Sequence, residues 1–108
     1  MSVVINSDGE ILVALAASQF RTVAGDDTLT EADLGGVVLV SAPATLTLPS
    51  VVGLRAGLTI TIKSLTSAGS VFVVPNGSEL IDGDPSKEML FQYSSMSILS
   101  DGSEWRVV

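Results

Sequence analysis

Gly57-Leu58-Thr59-Ile60-Thr61-Ile62-Lys63 decides the fold. Successive side chains of a strand point to opposite sides, so Leu58, Ile60 and Ile62 share one face and Thr59, Thr61 and Lys63 the other. Thr and Ile are branched at Cβ and fit a pleated surface, so local preference and hydrophobic pattern agree on a half-buried strand. Upstream, Thr45-Leu46-Thr47-Leu48 alternates in the same way until Pro49, with Leu46 and Leu48 inward. Val37 to Val40 is four consecutive apolar residues, the pattern of a central strand covered on both faces, and Pro43 ends it. Ser50 to Ala56, fenced by Pro49 and Gly57, reads as a packed loop.

Downstream, Val71 to Val74 forms the next strand, and Pro75-Asn76-Gly77 closes it with a turn in which Asn and Gly supply positive φ. Leu80-Ile81 is a short strand running into Asp82-Gly83-Asp84-Pro85. Glu88 to Tyr93 alternates, setting Met89, Phe91 and Tyr93 against Glu88, Leu90 and Gln92. Met96 to Leu99 follows, and the Asp101-Gly102 hairpin turn leads into a last strand with Trp105 and Val107 inward. Between Val23 and Val37, Thr30 and Asp33 have the spacing of a capping box around one helical turn, released by Gly35-Gly36.

About eight to ten short strands with turn signals every eight to twelve residues predict an all-β domain, an antiparallel β-sandwich or barrel-like fold. No amphipathic helix of three turns is present. No period of about 20 to 50 residues repeats, so a solenoid is not expected. Residues 22–108 are uniform in composition and form the β domain, while residues 1–21 are the separable piece, an arm or first strand pair. Within it Val3-Val4-Ile5 and Glu10 to Leu15 flank a polar turn, and Ala14 to Gln19 fits either a strand or a short helix.

The chain is 46% hydrophobic and 16% charged, against about 25% charged in an ordinary soluble domain. A domain of 108 residues buries only about two-thirds of its unfolded surface, so part of the apolar surplus is expected to be covered by other copies or a partner. The five basic residues are scattered and the net charge is -7, which argues against nucleic acid, whose phosphates need clustered Lys and Arg. The run Ile11 to Ala17 is too short to span a membrane. With Asp8, Glu10 and no Lys or Arg ahead of it, the run also lacks the basic start of an export signal.

There is no His and no Cys, so the usual neutral-pH base, the common zinc ligands and the thiol nucleophile are missing. Asp26, Asp27, Glu79, Asp82, Asp84 and Asp101 could form a glycosidase-like carboxylate pair, and Asp26-Asp27 or Asp82-Gly83-Asp84 could offer oxygens to calcium. Nearly all sit beside Gly, Pro, Ser or Thr, where an Asp accepts hydrogen bonds from turn N–H groups, and that reading is preferred. No cofactor and no catalytic residue is expected. Trp105 and Tyr93 are candidate ligand-stacking rings, weighed against core anchoring of their strands.

Asp33-Leu34-Gly35-Gly36, Thr45 to Pro49, Gly57 to Lys63, Val74-Pro75-Asn76-Gly77, Ile81-Asp82-Gly83 and Leu99 to Trp105 occur in one order. From Thr22 to Val108 that ordered set resembles a β-rich domain of bacteriophage virion proteins, found in capsid decoration, head-fibre and tail-fibre proteins. The resemblance implies a non-enzymatic structural protein, a homotrimer, with no catalytic residues to transfer. Running from Met1 to just past Trp105, the chain is expected to be a complete small protein. That favours a decoration (cement) protein made in the host bacterial cytoplasm and bound to the major capsid protein on the virion surface. A tail-fibre or head-fibre component, or a virion-displayed carbohydrate-binding module, is the alternative. Val3, Val4, Ile5, Ile11, Val13 and Leu15 are the candidate capsid or intersubunit contacts, with a further pair of core strands as the competing reading of that segment. No nucleic-acid or membrane partner is expected.

Overall fold

The computed structural model describes residues 20–108, so the calls on Val3, Val4, Ile5, Ile11, Val13 and Leu15 lie outside the described residues. Nine strands form: β1 Phe20–Val23, β2 Asp27–Thr28, β3 Val37–Val40, β4 Ala44–Thr47, β5 Thr59–Ser64, β6 Val71–Val74, β7 Lys87–Met89, β8 Ser95–Ser100 and β9 Trp105–Val107. They make a five-stranded sheet in the order β1-β3-β5-β8-β9 and a four-stranded sheet in the order β2-β4-β6-β7. Among the described residues the only helical segment is the 3-10 turn Glu31–Asp33. The all-β expectation holds.

Both sheets are mixed, which corrects the antiparallel expectation. The first six strands alternate between the sheets, and every pair among them is parallel. The chain therefore winds three times around a shared interior before β7, β8 and β9 add antiparallel edges. The sheets do not close into a barrel. This winding has no fixed period. Phe20 lies beside Val37 and Val37 beside Thr61, steps of 17 and 24 residues. In the other sheet Asp27 lies beside Leu46 and Leu46 beside Val73, steps of 19 and 27. Turns of unequal length leave no fixed period to detect. Parallel strands buried on both faces read as continuous apolar runs, but here each sheet buries one face only, so its strands alternate as antiparallel ones would.

That single buried face is the core. Ile60 and Ile62 on β5, Val38 and Val40 on β3, and Ile98 on β8 are fully buried, as are Leu46, Val71 and Val73 of the opposite sheet. Val37 and Leu39 remain half-buried on the outer side, so Val37 to Val40 is covered on one face rather than two. Leu48 and Trp105 are inward as expected, but Val107 is 37% exposed because β9 is an edge strand. The capping box is present: Thr30 Oγ1 accepts from Ala32 N–H, and Asp33 Oδ2 accepts from Thr30 N–H. In the Pro75-Asn76-Gly77 turn only Gly77, at φ 56°, has a positive φ, so Asn76 does not share that role. Ser50 to Ala56 packs through Val51, while Val52 points to solvent.

The two faces of β5 should respond differently to truncation. Ile62→Ala removes buried methyls and is expected to cost about 2–5 kcal/mol. Thr59→Ala, on the outward face, should change stability by about 0.5 kcal/mol or less. Urea unfolding of the two variants measures the contrast, and equal losses would contradict this assignment of faces.

Candidate functional site

Leu90, Phe91 and Tyr93 form the densest group of exposed large apolar side chains in the described residues, 59%, 74% and 61% accessible. Sequence alternation predicts a strand through Tyr93 that sets Met89, Phe91 and Tyr93 on one face, and the structure corrects this. β7 ends at Met89, the last residue to reach the core. Tyr93 then takes a left-handed backbone at φ 68°, a conformation uncommon for residues other than glycine. The segment becomes the crossing from the four-stranded to the five-stranded sheet, and its rings face outward.

The crossing is tied down along its length. Tyr93 N–H donates to Ser64 C=O at 2.7 Å, and Lys63 Nζ donates to Tyr93 C=O at 2.9 Å. Gln92 Nε2 donates to Leu65 C=O at 3.1 Å, and Ser94 donates from both N–H and Oγ to Phe91 C=O. The Lys63 ammonium also lies 6.0 Å from the Tyr93 ring centroid, the outer limit of a cation–π contact. An apolar surface held by its own backbone loses little entropy when a partner covers it. Phe91 and Leu90 escape sequence reading because nothing in the residue order announces where β7 stops.

Trp105 cannot be a stacking platform. Its ring is 0% exposed, and among the described residues Nε1 has no hydrogen-bond partner. Burial between the sheets is the role its position at the end of β8–β9 allows, since Trp105 pairs with Ser100 and bridges to Ile81. Of the two candidate rings, Tyr93 alone is accessible.

The candidate carboxylates are engaged locally. Asp26 Oδ1 accepts the Thr45 N–H at 2.8 Å, Asp82 Oδ2 accepts the Val107 N–H, and Asp84 pairs with Lys87. Glu79 accepts from Ser50 Oγ and the Val51 N–H, holding the loop after β4. Asp101 accepts from the N–H groups of Glu104 and Ser103 and from Arg106, which together draw its carboxyl down to about 2. Asp26 and Asp27 line a shallow open depression with Thr28, Thr45 and Thr47. Among the described residues no three carboxylates converge as metal ligands would.

Asp27 and Asp33 do something the sequence does not announce. Arg21 pairs with Val38 in the row that continues to buried Ile62, and Asp27 pairs with Leu46 in the row of buried Val73. Both therefore occupy inward positions at the first turn of the coil, one from each sheet, and they meet there as an ion pair. The Arg21 guanidinium also donates to both Asp33 oxygens, at 2.8 and 3.2 Å. Burial pushes the Asp33 carboxyl up, but hydrogen bonds from Arg21 and the Thr30 N–H outweigh it and hold the group below its usual range. In return the Arg21 guanidinium, bonded first by Asp33, is driven above its usual value.

No protein-family model matches the chain, and a search of curated proteins also finds no match. Among the described residues no helix is long and apolar enough to cross a membrane.

A carboxyl held low in the folded state stabilises the fold above its unfolded pKa and loses that contribution as pH falls through the folded value. Stability should thus decline in acid, below about pH 4, as Asp33 and Asp101 take up protons. Asp33→Asn, which breaks a charged pair with one partly buried partner, should cost about 1.5–3 kcal/mol at neutral pH. The same substitution should flatten the acid limb of the stability–pH curve, measured by chemical unfolding from pH 7 down to 2.5.

Proposed function

We propose that the chain is a non-enzymatic structural component of a bacteriophage particle, a decoration protein that binds the outside of the icosahedral head as a homotrimer and stabilises it. The observation that carries the reading is the rigidly anchored apolar crossing of Leu90, Phe91 and Tyr93, surface that a lone soluble domain has no reason to hold in place. Its support from sequence is the ordered set of strand and turn motifs shared with virion β domains, together with the apolar surplus. The chemistry agrees in kind: the site offers area and shape to a protein surface, and its carboxylates hold turns and edges. Binding many copies to an assembled shell would stabilise it by mass action. Val3, Val4, Ile5, Ile11, Val13 and Leu15 remain the proposed arm contact to the shell or to a neighbouring copy.

One observation favours a second reading. Tyr93 is exposed, and an exposed aromatic face is what a carbohydrate-binding surface uses. A glycan array run on the wild type and on Tyr93→Ala separates the readings, because a saccharide signal lost in the variant would favour the carbohydrate module.

The direct test mixes the purified protein with phage heads that lack it and counts bound copies by electron microscopy. Saturable binding at threefold positions is expected. Phe91→Ser should weaken it at least about tenfold, the equivalent of about 1.4 kcal/mol, with the melting temperature little changed because the ring is exposed. Binding only at a tail vertex would favour a fibre component, and no binding to any particle would refute the proposal.

A further inference from the structure

Strand direction sorts the connections into two ends of the sandwich. β1, β3 and β5 run parallel, so Val23, Val40 and Ser64 finish at one end, and β8 starts there because Ser95 pairs with Lys63. Ala44 and Val71 begin β4 and β6 at that same end, where Met89 finishes β7 by pairing with Val71. The segments 24–26, 41–43 and 65–70 therefore gather around the crossing at 90–94. The connections 29–36, 48–58, 75–86 and 101–104 lie at the opposite end.

Charge is divided unequally between these ends. The four segments at the crossing end hold one charged residue, Asp26, which accepts the Thr45 N–H. Glu88 of β7 is bonded to the Ser70 hydroxyl on the outer face of the four-stranded sheet, and the Lys63 ammonium is bonded to the Tyr93 carbonyl. Exposed Pro43, Ser67 and Ala68 accompany Leu90, Phe91 and Tyr93. At the opposite end, Asp33, Asp84 and Asp101 are answered by Arg21, Lys87 and Arg106. Glu31, Glu79, Asp82 and Glu104 form no ion pair among the described residues, and Arg55 is the one basic residue of those connections. The molecule is thus neutral and apolar at one end and acidic at the other.

From this polarity we infer that the chain stands on the shell end-on. The segments 41–43 and 65–70 join the crossing in the contact, the acidic end points away from the head, and the shell surface beneath is a neutral, apolar protein surface. The inference rests on the decoration reading and adds the orientation, the extent of the contact and the chemistry of the partner surface. Covering unpaired carboxylates strips them of water with no cation to repay the loss. Covering Pro43, Ala68 and Phe91 instead removes apolar surface from water, which is favourable. A closed threefold arrangement suits this polarity, because rotation about an axis along the strands keeps every copy the same way up. Three crossings then share the rim against the shell and act as linked sites. The three acidic ends share the outer rim, where like charge keeps decorated particles apart.

The chain has no cysteine, so one thiol can mark each end. Ser67→Cys marks the crossing end and Ser78→Cys the acidic end, both at exposed turn positions. Unfolding curves confirm that each variant keeps its fold. Maleimide labelling is followed on the free protein and on decorated phage heads, and read on this chain after the particles are dissolved. Free, the two thiols should react at similar rates. On heads, the Ser67→Cys thiol should slow by about tenfold when about nine-tenths of the chain is bound, while the Ser78→Cys thiol keeps its free rate. Protection of the Ser78→Cys thiol, or open reaction of both, would overturn the inference while leaving the decoration reading intact. Salt gives an independent measure. Affinity for heads should change less than about threefold between about 0.05 and 0.5 M salt, because screening acts on charges and this contact holds few. A fall of about tenfold or more would put the acidic end in the contact and would also overturn the orientation. Absence of any binding to heads refutes the decoration reading itself and takes this inference with it.

Discussion

Withdrawal of one face of every strand from water is the constraint on which the structure depends. The side chains of Val38, Val40, Ile60, Ile62 and Ile98 meet Leu46, Val71 and Val73 in a single buried cluster between two sheets. Because the chain switches sheets at each of its first five connections, every turn of the coil adds one strand to each side of that cluster. Neither sheet can bury its apolar face without the other, so the two are stable only as a pair.

The first described turn of the coil carries charge at its inward positions. Arg21 and Asp27 take positions that in the next turn belong to Val38 and Leu46, and they join across the interior with Asp33 beside them. At the far side of the four-stranded sheet the same row ends in Lys87, paired with Asp84. Among the described residues that row is apolar in the middle and ionic at both ends. Charged groups at the edge of a sheet also discourage uncontrolled strand addition.

The antiparallel strands β7, β8 and β9 complete the sheets and set up the exposed apolar crossing. To pass from the last strand of one sheet to the other, the chain must cross the end of the sandwich, and it does so through Leu90 to Ser94. Hydrogen bonds from Gln92 and Tyr93, and from Lys63, fix that crossing against the end of β5. Display of Phe91 and Tyr93 is therefore a consequence of topology.

The residue order by itself determined the positions of β3, β4, β5, β6, β8 and β9, the inward sets on β4 and β5, the capping box at Thr30 and Asp33, and the hairpin at Asp101-Gly102. Each is a local matter of side-chain periodicity or of one turn's hydrogen bonds. Strand direction and partner were decided only in three dimensions, because a half-buried parallel strand and a half-buried antiparallel one alternate identically. The coil was hidden for a related reason: its turns differ in length, so three equivalent windings share no period. Tertiary structure also decided the fate of Phe91 and Tyr93, sending both to the surface. Burial depends on what lies opposite a side chain, and what lies opposite is supplied by residues distant in the chain.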